Sequence, residues 1–231
     1  MPPPTVATSR AGRGGDVEPT LGEDRSRGDD PTGTPPPLAP LAWRFAGEPT
    51  ARILVPAIAL GVALRLRRGP VGPADLAVAG ALVGGESATE WVLHRHLLHR
   101  RTVSVLGRTV GLHPGEAHAR HHARPDDPTT VPIGPIGIAV AVAGVGLVAV
   151  PPGPARAVRA TAGTTALALL LAYEWTHFLI HSDHRPRRRW FRGLRRAHLA
   201  HHHDDAGTWY GITGHGFDRL VGTAPPTTVA R

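Results

Sequence analysis

The chain has 231 residues and no cysteine, which excludes disulfide frameworks, thiolate zinc sites, iron–sulfur clusters and cysteine nucleophiles. Its 26 basic residues are all arginine, and the net charge of +8 fits either nucleic acid or an anionic membrane surface as a partner. Aromatic residues make up only 5% of the chain, too few for obvious base-stacking platforms, so we expect no nucleic-acid partner.

The first 45 residues differ in composition from the rest of the chain. They are rich in Pro, Gly, Asp, Arg, Ser and Thr, as in SRAGRGGDVEPTLGEDRSRGDDPTGTPPP, and such a segment cannot bury a core. No apolar run with a small-residue cleavage site lies near Met1, so we expect no secretory signal peptide. We predict a disordered tail over residues 1–45, a membrane domain over 46–225 and a short tail over 226–231.

Four apolar stretches follow this tail. They cover residues 52–66, 75–94, 131–151 and 159–181. The third has no charged residue, and as a helix it is long enough to cross roughly 30 Å of hydrocarbon. The continuous apolarity of the last two favours membrane helices over the core of a soluble helical bundle, which is the alternative interpretation. We predict an all-α integral membrane protein with about four transmembrane helices.

Arginines near the ends of these stretches indicate an orientation. They are more numerous between the second and third stretches and after the fourth than at the opposite ends. By the positive-inside rule, these two segments are cytoplasmic, and both contain histidine clusters. We therefore expect a helical, histidine-rich cap on the cytoplasmic side of a bacterial cytoplasmic membrane. The run RPRRRWFRGLRR is predicted to lie at the membrane surface, with Trp190, Phe191 and Leu194 in lipid.

All 15 histidines lie between His94 and His215. Most fall in four groups, HRHLLH, HARHH, HFLIH and HLAHHH. Positions i, i+3 and i+4 of a helix share a face, so each H-x-x-H-H presents three imidazoles together, as His177 and His181 present two. His94 and His99 do not share a face on a straight helix, which predicts a helix end or bend between them.

The histidine arrangement occurs twice along the chain. EWVLHRHLLH is followed by one H-x-x-H-H triplet, and EWTHFLIH is followed by the other. Two helix-end pairs and two triplets can surround two metal ions, and they exceed what one tetrahedral zinc can use. Glu90 and Glu174 could accept a hydrogen bond from the second ring nitrogen of a ligand and so orient the ring. The histidines outside the repeat are expected at the surface or at the edge of a substrate site: His96, His113, His184, His203 and His215.

These motifs, together with YEWTHFLIH and the closing GIT and FDRLVGT, resemble the fatty acid hydroxylase / sterol desaturase superfamily of integral-membrane dimetal oxygenases. The resemblance spans about residues 86–223 and is strongest to the branch that hydroxylates fatty acyl chains. Tyr173 matches the Tyr–acid–x–x–His start in that branch, although Glu174 stands where aspartate is common. The resemblance implies ten metal ligands: His94, His99, His118, His121, His122, His177, His181, His198, His201 and His202.

The same resemblance implies a chemistry. Two metal ions, iron in the active enzyme with zinc as the alternative in isolated protein, would use dioxygen to hydroxylate a C–H bond of a fatty acyl chain or lipid. Electrons would come from a separate protein, a ferredoxin or a haem carrier. A carotenoid hydroxylase or a sterol-type desaturase or hydroxylase is the alternative among enzymes. A non-catalytic metal-binding membrane protein is the alternative from another class.

Overall fold

The computed structural model describes residues 37–149, 152–153 and 155–225, and it is mostly helical there. The predicted disordered stretch up to residue 36 and the tail over 226–231 lie outside the described residues. The helices are α1 (Leu38–Gly47), α2 (Pro49–Leu66), α3 (Pro73–Leu93), α4 (His113–Ala123), α5 (Pro135–Ala149), α6 (Arg156–His181), α7 (Arg189–His203) and α8 (Gly216–Val221). A π-helical turn, His94–Leu98, continues α3, and strands β1 (Thr102–Val105) and β2 (Arg108–Gly111) form a hairpin.

Helices α2, α3, α5 and α6 correspond to the four apolar stretches, so the helical prediction is confirmed for each. Helix α6 packs against the other three. Leu54, Ile138 and Leu167 form a buried cluster where α2, α5 and α6 meet. The approach of α2 to α6 is close, because a Cβ added at Gly61 would lie 2.5 Å from Thr164 Oγ1. Small residues at such contacts let helix backbones approach each other.

Polar contacts at the two ends of these four helices show which helix ends lie together. At one end, Arg65 Nε donates to Asp75 Oδ1 at 2.8 Å, and the Thr161 hydroxyl also donates to Asp75. This buried ion pair joins the end of α2 to the beginnings of α3 and α6. At the other end, Thr50 Oγ1 donates to the carbonyl oxygen of Ile133 at 2.9 Å, just before α5. Helices α3 and α6 therefore both finish at the end of the molecule that carries the histidines.

The boundary of the disordered tail predicted over residues 1–45 is corrected by α1. Residues 38–45 are helical, and Leu41 and Phe45 are buried in the core. The Phe45 ring lies 5.1 Å from that of Trp175 and 5.4 Å from that of Phe178. The apolar stretch LAPLAWRF is short and follows a Pro-rich segment, so its composition did not indicate a helix. Packing against α6 stabilises this helix, which is too short to be stable alone.

Two further details differ from the sequence predictions. The β1–β2 hairpin was not anticipated, and its two-residue turn places Leu106 and Gly107 at φ 49° and 76°, as a type I′ turn requires. Of the three apolar side chains predicted to lie in lipid, Phe191 and Leu194 are buried in the protein core and only Trp190 is exposed. The arginine-rich run therefore uses most of its apolar side chains to anchor α7 to the protein.

Among the described helices, α2 alone has both the length and the hydropathy to cross a membrane. Helix α5 is apolar but has 15 described residues. Helix α3 contains three carboxylates, Asp75, Glu86 and Glu90, and α6 ends in a polar, histidine-bearing turn. A mostly helical fold with one short β-hairpin is confirmed for the described residues, whereas four membrane spans remain a proposal.

Candidate metal centre

The structure brings the ten histidines of the repeated motifs together in two groups of five. Within each group, one ring nitrogen from every residue lies within 4.8 Å of the others. The first group contains His94, His99, His118, His122 and His201. The second group contains His121, His177, His181, His198 and His202. His96, His113, His184, His203 and His215 belong to neither group, and His203 is exposed.

In the first group the Nε2 atoms converge. His118 Nε2 lies 2.9 Å from His94 Nε2 and 3.1 Å from His122 Nε2. His99 Nε2 lies 3.1 Å from His201 Nε2. Convergent lone pairs of neutral imidazoles form a ligand set suited to iron, zinc or copper.

The second group has the same arrangement. His177 Nε2 lies 3.1 Å from the Nε2 atoms of both His121 and His198. His198 Nε2 lies 2.9 Å from His181 Nε2 and 3.0 Å from His202 Nε2. All ten side chains therefore turn the same ring atom towards the centre of their group, as ligands of a shared ion would.

The two groups adjoin, because each triplet contributes to both. In each triplet, the i and i+4 members belong to one group and the i+3 member belongs to the other. In α4, His118 and His122 belong to the first group and His121 to the second. In α7, His198 and His202 belong to the second group and His201 to the first. The ring centroids of His122 and His202 lie 4.2 Å apart across the boundary. One helical turn of α4 and one of α7 thus serve two neighbouring sites.

The π-helical turn allows His94 and His99 to enter the same group. The N–H of His99 donates to the carbonyl oxygen of His94 at 3.0 Å, a hydrogen bond between positions i+5 and i. The wider turn brings residues five apart to one side, as the ring centroids 5.0 Å apart confirm. The predicted helix end or bend between these two residues is confirmed.

Backbone carbonyls orient two rings of the first group. His94 Nδ1 donates to the carbonyl oxygen of Tyr210 at 2.6 Å, and His201 Nδ1 donates to that of Thr208 at 2.5 Å. A carbonyl only accepts, so the proton must be on Nδ1 and the Nε2 lone pair is free for a metal. In the second group, the Nδ1 atoms of His198 and His202 are buried and have no partner among the described residues.

The carboxylates lie near the rings but hydrogen-bond elsewhere. Glu90 accepts from the N–H of Ile212 at 3.0 Å and of Thr213 at 3.1 Å, and from the Thr213 hydroxyl at 2.7 Å. Glu174 accepts from the N–H of Ile133 at 2.9 Å. The expected ring contact of Glu90 is therefore made by a backbone carbonyl instead. The Tyr173 ring, also buried, lies 5.8 Å from that of His177.

Burial keeps these imidazoles neutral. Desolvation, followed by the proximity of other imidazoles, lowers the pKa of His121 and of His122 to about 3 and that of His99 to about 4. The same causes lower the pKa of His118 well below its ordinary value. Their lone pairs are therefore available at neutral pH without displacing protons, as ligation requires.

An apolar cavity of about 400 Å³ opens onto both groups. His94, His118, His121 and His177 are among the residues that line it. Most of its other lining residues are aliphatic and belong to α3, α5 and α6, among them Leu82, Val145 and Ala166. A mostly apolar cavity of this size suits a hydrocarbon chain.

Three contributors to this site were missed by sequence reasoning. The carbonyls of Thr208 and Tyr210 orient rings, and a carbonyl leaves no signal in a sequence. Asp218 lies in the closing FDRLVGT motif, where its carboxylate accepts from the N–H groups of Tyr210 and Gly211, both at 2.9 Å. An acidic residue within that motif was the available signal.

Comparison with known proteins is consistent with this geometry. Two dihydroceramide fatty acyl 2-hydroxylases of Arabidopsis thaliana, FAH2 and FAH1, are each 29% identical to the chain over 142 residues. These alignments cover 59% and 62% of this chain but 55% and 58% of the relatives, so the chain spans little more than half of their lengths.

A solved structure of full-length Scs7p, in which only the hydroxylase domain is visible, superposes with a TM-score of 0.58. It is 18% identical and the match covers 77% of this chain and 66% of that one, which establishes a shared fold. The model of the fatty acid hydroxylase family matches residues 79–223, which is more than half of the chain and includes all ten grouped histidines. The chain belongs to the fatty acid hydroxylase family.

Proposed function

We propose that this protein is a membrane oxygenase that hydroxylates a fatty acyl chain of a lipid. The observation that carries the proposal is the union of two adjoining five-histidine groups with an apolar cavity that reaches both. A ligand set alone would also suit metal storage or sensing. An apolar cavity lined in part by the ligand set favours chemistry on an apolar substrate.

The ten histidines would hold two metal ions, which we propose to be iron. Bound there, the ions supply the dioxygen activation that hydroxylation of an unactivated C–H bond requires. One oxygen atom enters the C–H bond and the other leaves as water, with two electrons and two protons supplied. The protein's own part is to keep the imidazoles neutral, to orient rings such as His94 and His201, and to hold the chain in an aliphatic cavity.

The proposed substrate class rests on the cavity and on the relatives. Both Arabidopsis relatives are named as fatty acyl 2-hydroxylases acting on dihydroceramide. The cavity lining between α3, α5 and α6 offers aliphatic contacts along its length. We propose that an acyl chain lies along α5 and α6 with its reacting carbon beside His94, His118, His121 and His177.

We propose that α2, α3, α5 and α6 cross the membrane. Side chains of α5 that face away from the protein are aliphatic and exposed, with Ile136 at 65%, Val140 at 67% and Leu147 at 78%. A water-facing helix would carry polar groups there. The arginine distribution supports a cytoplasmic position for the histidine groups, and the origin in a bacterial cytoplasmic membrane is part of the same proposal.

Electrons must reach the site from a donor, which we propose to be a separate ferredoxin or haem protein. Arg100 and Arg101, next to His99, are exposed, as are Arg120 and Arg124, next to the triplet of α4. A basic rim around the histidine groups would attract an acidic donor and speed its docking.

Lipid and pigment analysis of producing cells tests the proposal. Cells that make the full chain, supplied with an electron donor, are expected to contain hydroxylated acyl lipids that are absent from control cells. Hydroxylated carotenoids instead would transfer the function to the pigment hydroxylases. If neither class changes while the protein holds metal, the protein is a non-catalytic metal-binding protein and the proposal is wrong.

A further inference from the structure

The segment over residues 208–213, called here the positioning loop, contacts the first histidine group twice. Its Thr208 and Tyr210 carbonyls accept the Nδ1 hydrogen bonds of His201 and His94. Both histidines belong to the first group. Each bond fixes a ring plane and a tautomer, so the shape of this loop decides where two of the five Nε2 atoms point.

Two buried carboxylates from different helices hold the positioning loop. Glu90 of α3 accepts from Ile212 and Thr213 as described above. Asp218 of α8 accepts the Tyr210 N–H on Oδ1 and the Gly211 N–H on Oδ2, and the Thr223 hydroxyl donates to Oδ1 at 2.8 Å. Four consecutive backbone N–H groups, at residues 210–213, therefore end on two carboxylates that are 4% and 0% exposed.

The loop adopts a conformation that it would not adopt alone. Trp209 has φ 54°, in the left-handed region that costs a non-glycine residue free energy. A Cβ at Gly211 would lie 2.0 Å from the carbonyl oxygen of Gly214. The hydrogen bonds that Glu90 and Asp218 accept from the loop offset that cost, so removing either acceptor is expected to loosen the loop.

We propose that Glu90 and Asp218 are positioning residues for one of the two metal sites, the one formed by the first histidine group. This inference rests on the proposed metal centre. Neither carboxylate contacts a histidine ring by hydrogen bond, and both act through the backbone of the positioning loop. The loop holds none of the rings of the second group. Removing Glu90 or Asp218 is therefore expected to weaken the first metal site more than the second.

Zinc content of the purified full chain in detergent tests this inequality. Wild type is expected to hold two zinc ions per chain, and Glu90→Ala is expected to weaken the first site about 10–100-fold. Under chelator competition that leaves the wild type loaded, the variant then retains one ion. A general loss of structure would remove both ions, so the count separates positioning from folding.

Two isosteric changes keep the test decisive if the alanine variant fails to fold. In Glu90→Gln, the amide oxygen can still accept from Ile212 and Thr213 while its NH₂ donates to the Thr213 hydroxyl, so both ions should be retained. In Asp218→Asn, either amide orientation places an NH₂ group against a backbone N–H, so one ion should be lost. The contrast follows from the hydrogen bonds alone.

Ser87→Ala is the matched control. The Ser87 hydroxyl donates to the Gly214 carbonyl oxygen at 3.1 Å and accepts from the Phe217 N–H at 3.0 Å, beside the positioning loop but outside it. This variant should keep both ions. Asp218→Asn holding two ions, or Glu90→Gln and Asp218→Asn behaving alike, would overturn the inference. A wild type that binds no zinc or iron would instead overturn the proposed metal centre itself.

Discussion

Replacing His121 by alanine is expected to reduce hydroxylated acyl lipid by more than about a hundred-fold. Mutation of a residue that only hydrogen-bonds a metal ligand already lowers metal affinity or activity about 10–100-fold, and His121 is a proposed ligand itself. His121 is 1% exposed, and its Nε2 lies 3.1 Å from that of His177 inside the second group. No nearby side chain can replace it in that position, because the other four members already point to the same centre. Product would be measured by mass spectrometry of extracted lipids.

His203→Ala is the control for this change. His203 follows His202 in α7 but is exposed and outside both groups. It should leave metal content and product at wild-type levels. An equal loss of product from both variants would mean that the histidine-rich surface, rather than the grouped ligands, carries the activity. Full product from His121→Ala would contradict the proposed ligand set.

Filling the cavity should slow turnover of long chains without removing metal. Ala141 of α5 lines the cavity, and a phenylalanine there would take up part of the cavity volume. A difference of one methylene in an apolar pocket changes the discrimination between two substrates by about 10–200-fold. The rate on long acyl chains should therefore fall at least about tenfold. Shorter chains, which do not reach Ala141, should be affected less. Rates on acyl chains of graded length measure the effect.

Ala143→Phe provides the comparison on the same helix. Ala143 is exposed on α5 and does not line the cavity, so its replacement adds the same volume outside the substrate path. Chain-length preference should stay unchanged in that variant. If Ala141→Phe also leaves the preference unchanged, the acyl chain does not occupy this cavity.

The helices, and the gathering of the repeated histidines around one pocket, were predictable because both follow from local spacing. The uncharged run over residues 131–151 favours a buried or lipid-facing helix, and the i, i+3, i+4 spacing of His118, His121 and His122 puts three rings on one side. The division of each triplet between two groups was not predicted. It depends on how α4 and α7 face each other, which no single helix encodes.

The orientation of the rings was beyond sequence reasoning for a different reason. Glu90 was expected to bond a histidine ring because it lies one turn before His94. The nearby buried N–H groups of Ile212 and Thr213 also need acceptors, and they donate to the Glu90 carboxylate instead. The ring then bonds the carbonyl of Tyr210, a group that every residue type carries. Likewise, α1 depends on tertiary contacts of Leu41 and Phe45.

Isotopically labelled dioxygen tests the proposed activity most directly. Cells that make the wild-type chain with an electron donor would be grown under the labelled gas, and the acyl lipids analysed for hydroxyl oxygen. A membrane dimetal oxygenase is expected to place one labelled oxygen atom in the acyl chain, and the His121→Ala variant none. Hydroxyl oxygen derived from water, or unmodified acyl chains in cells whose protein holds its metal, would contradict the proposal.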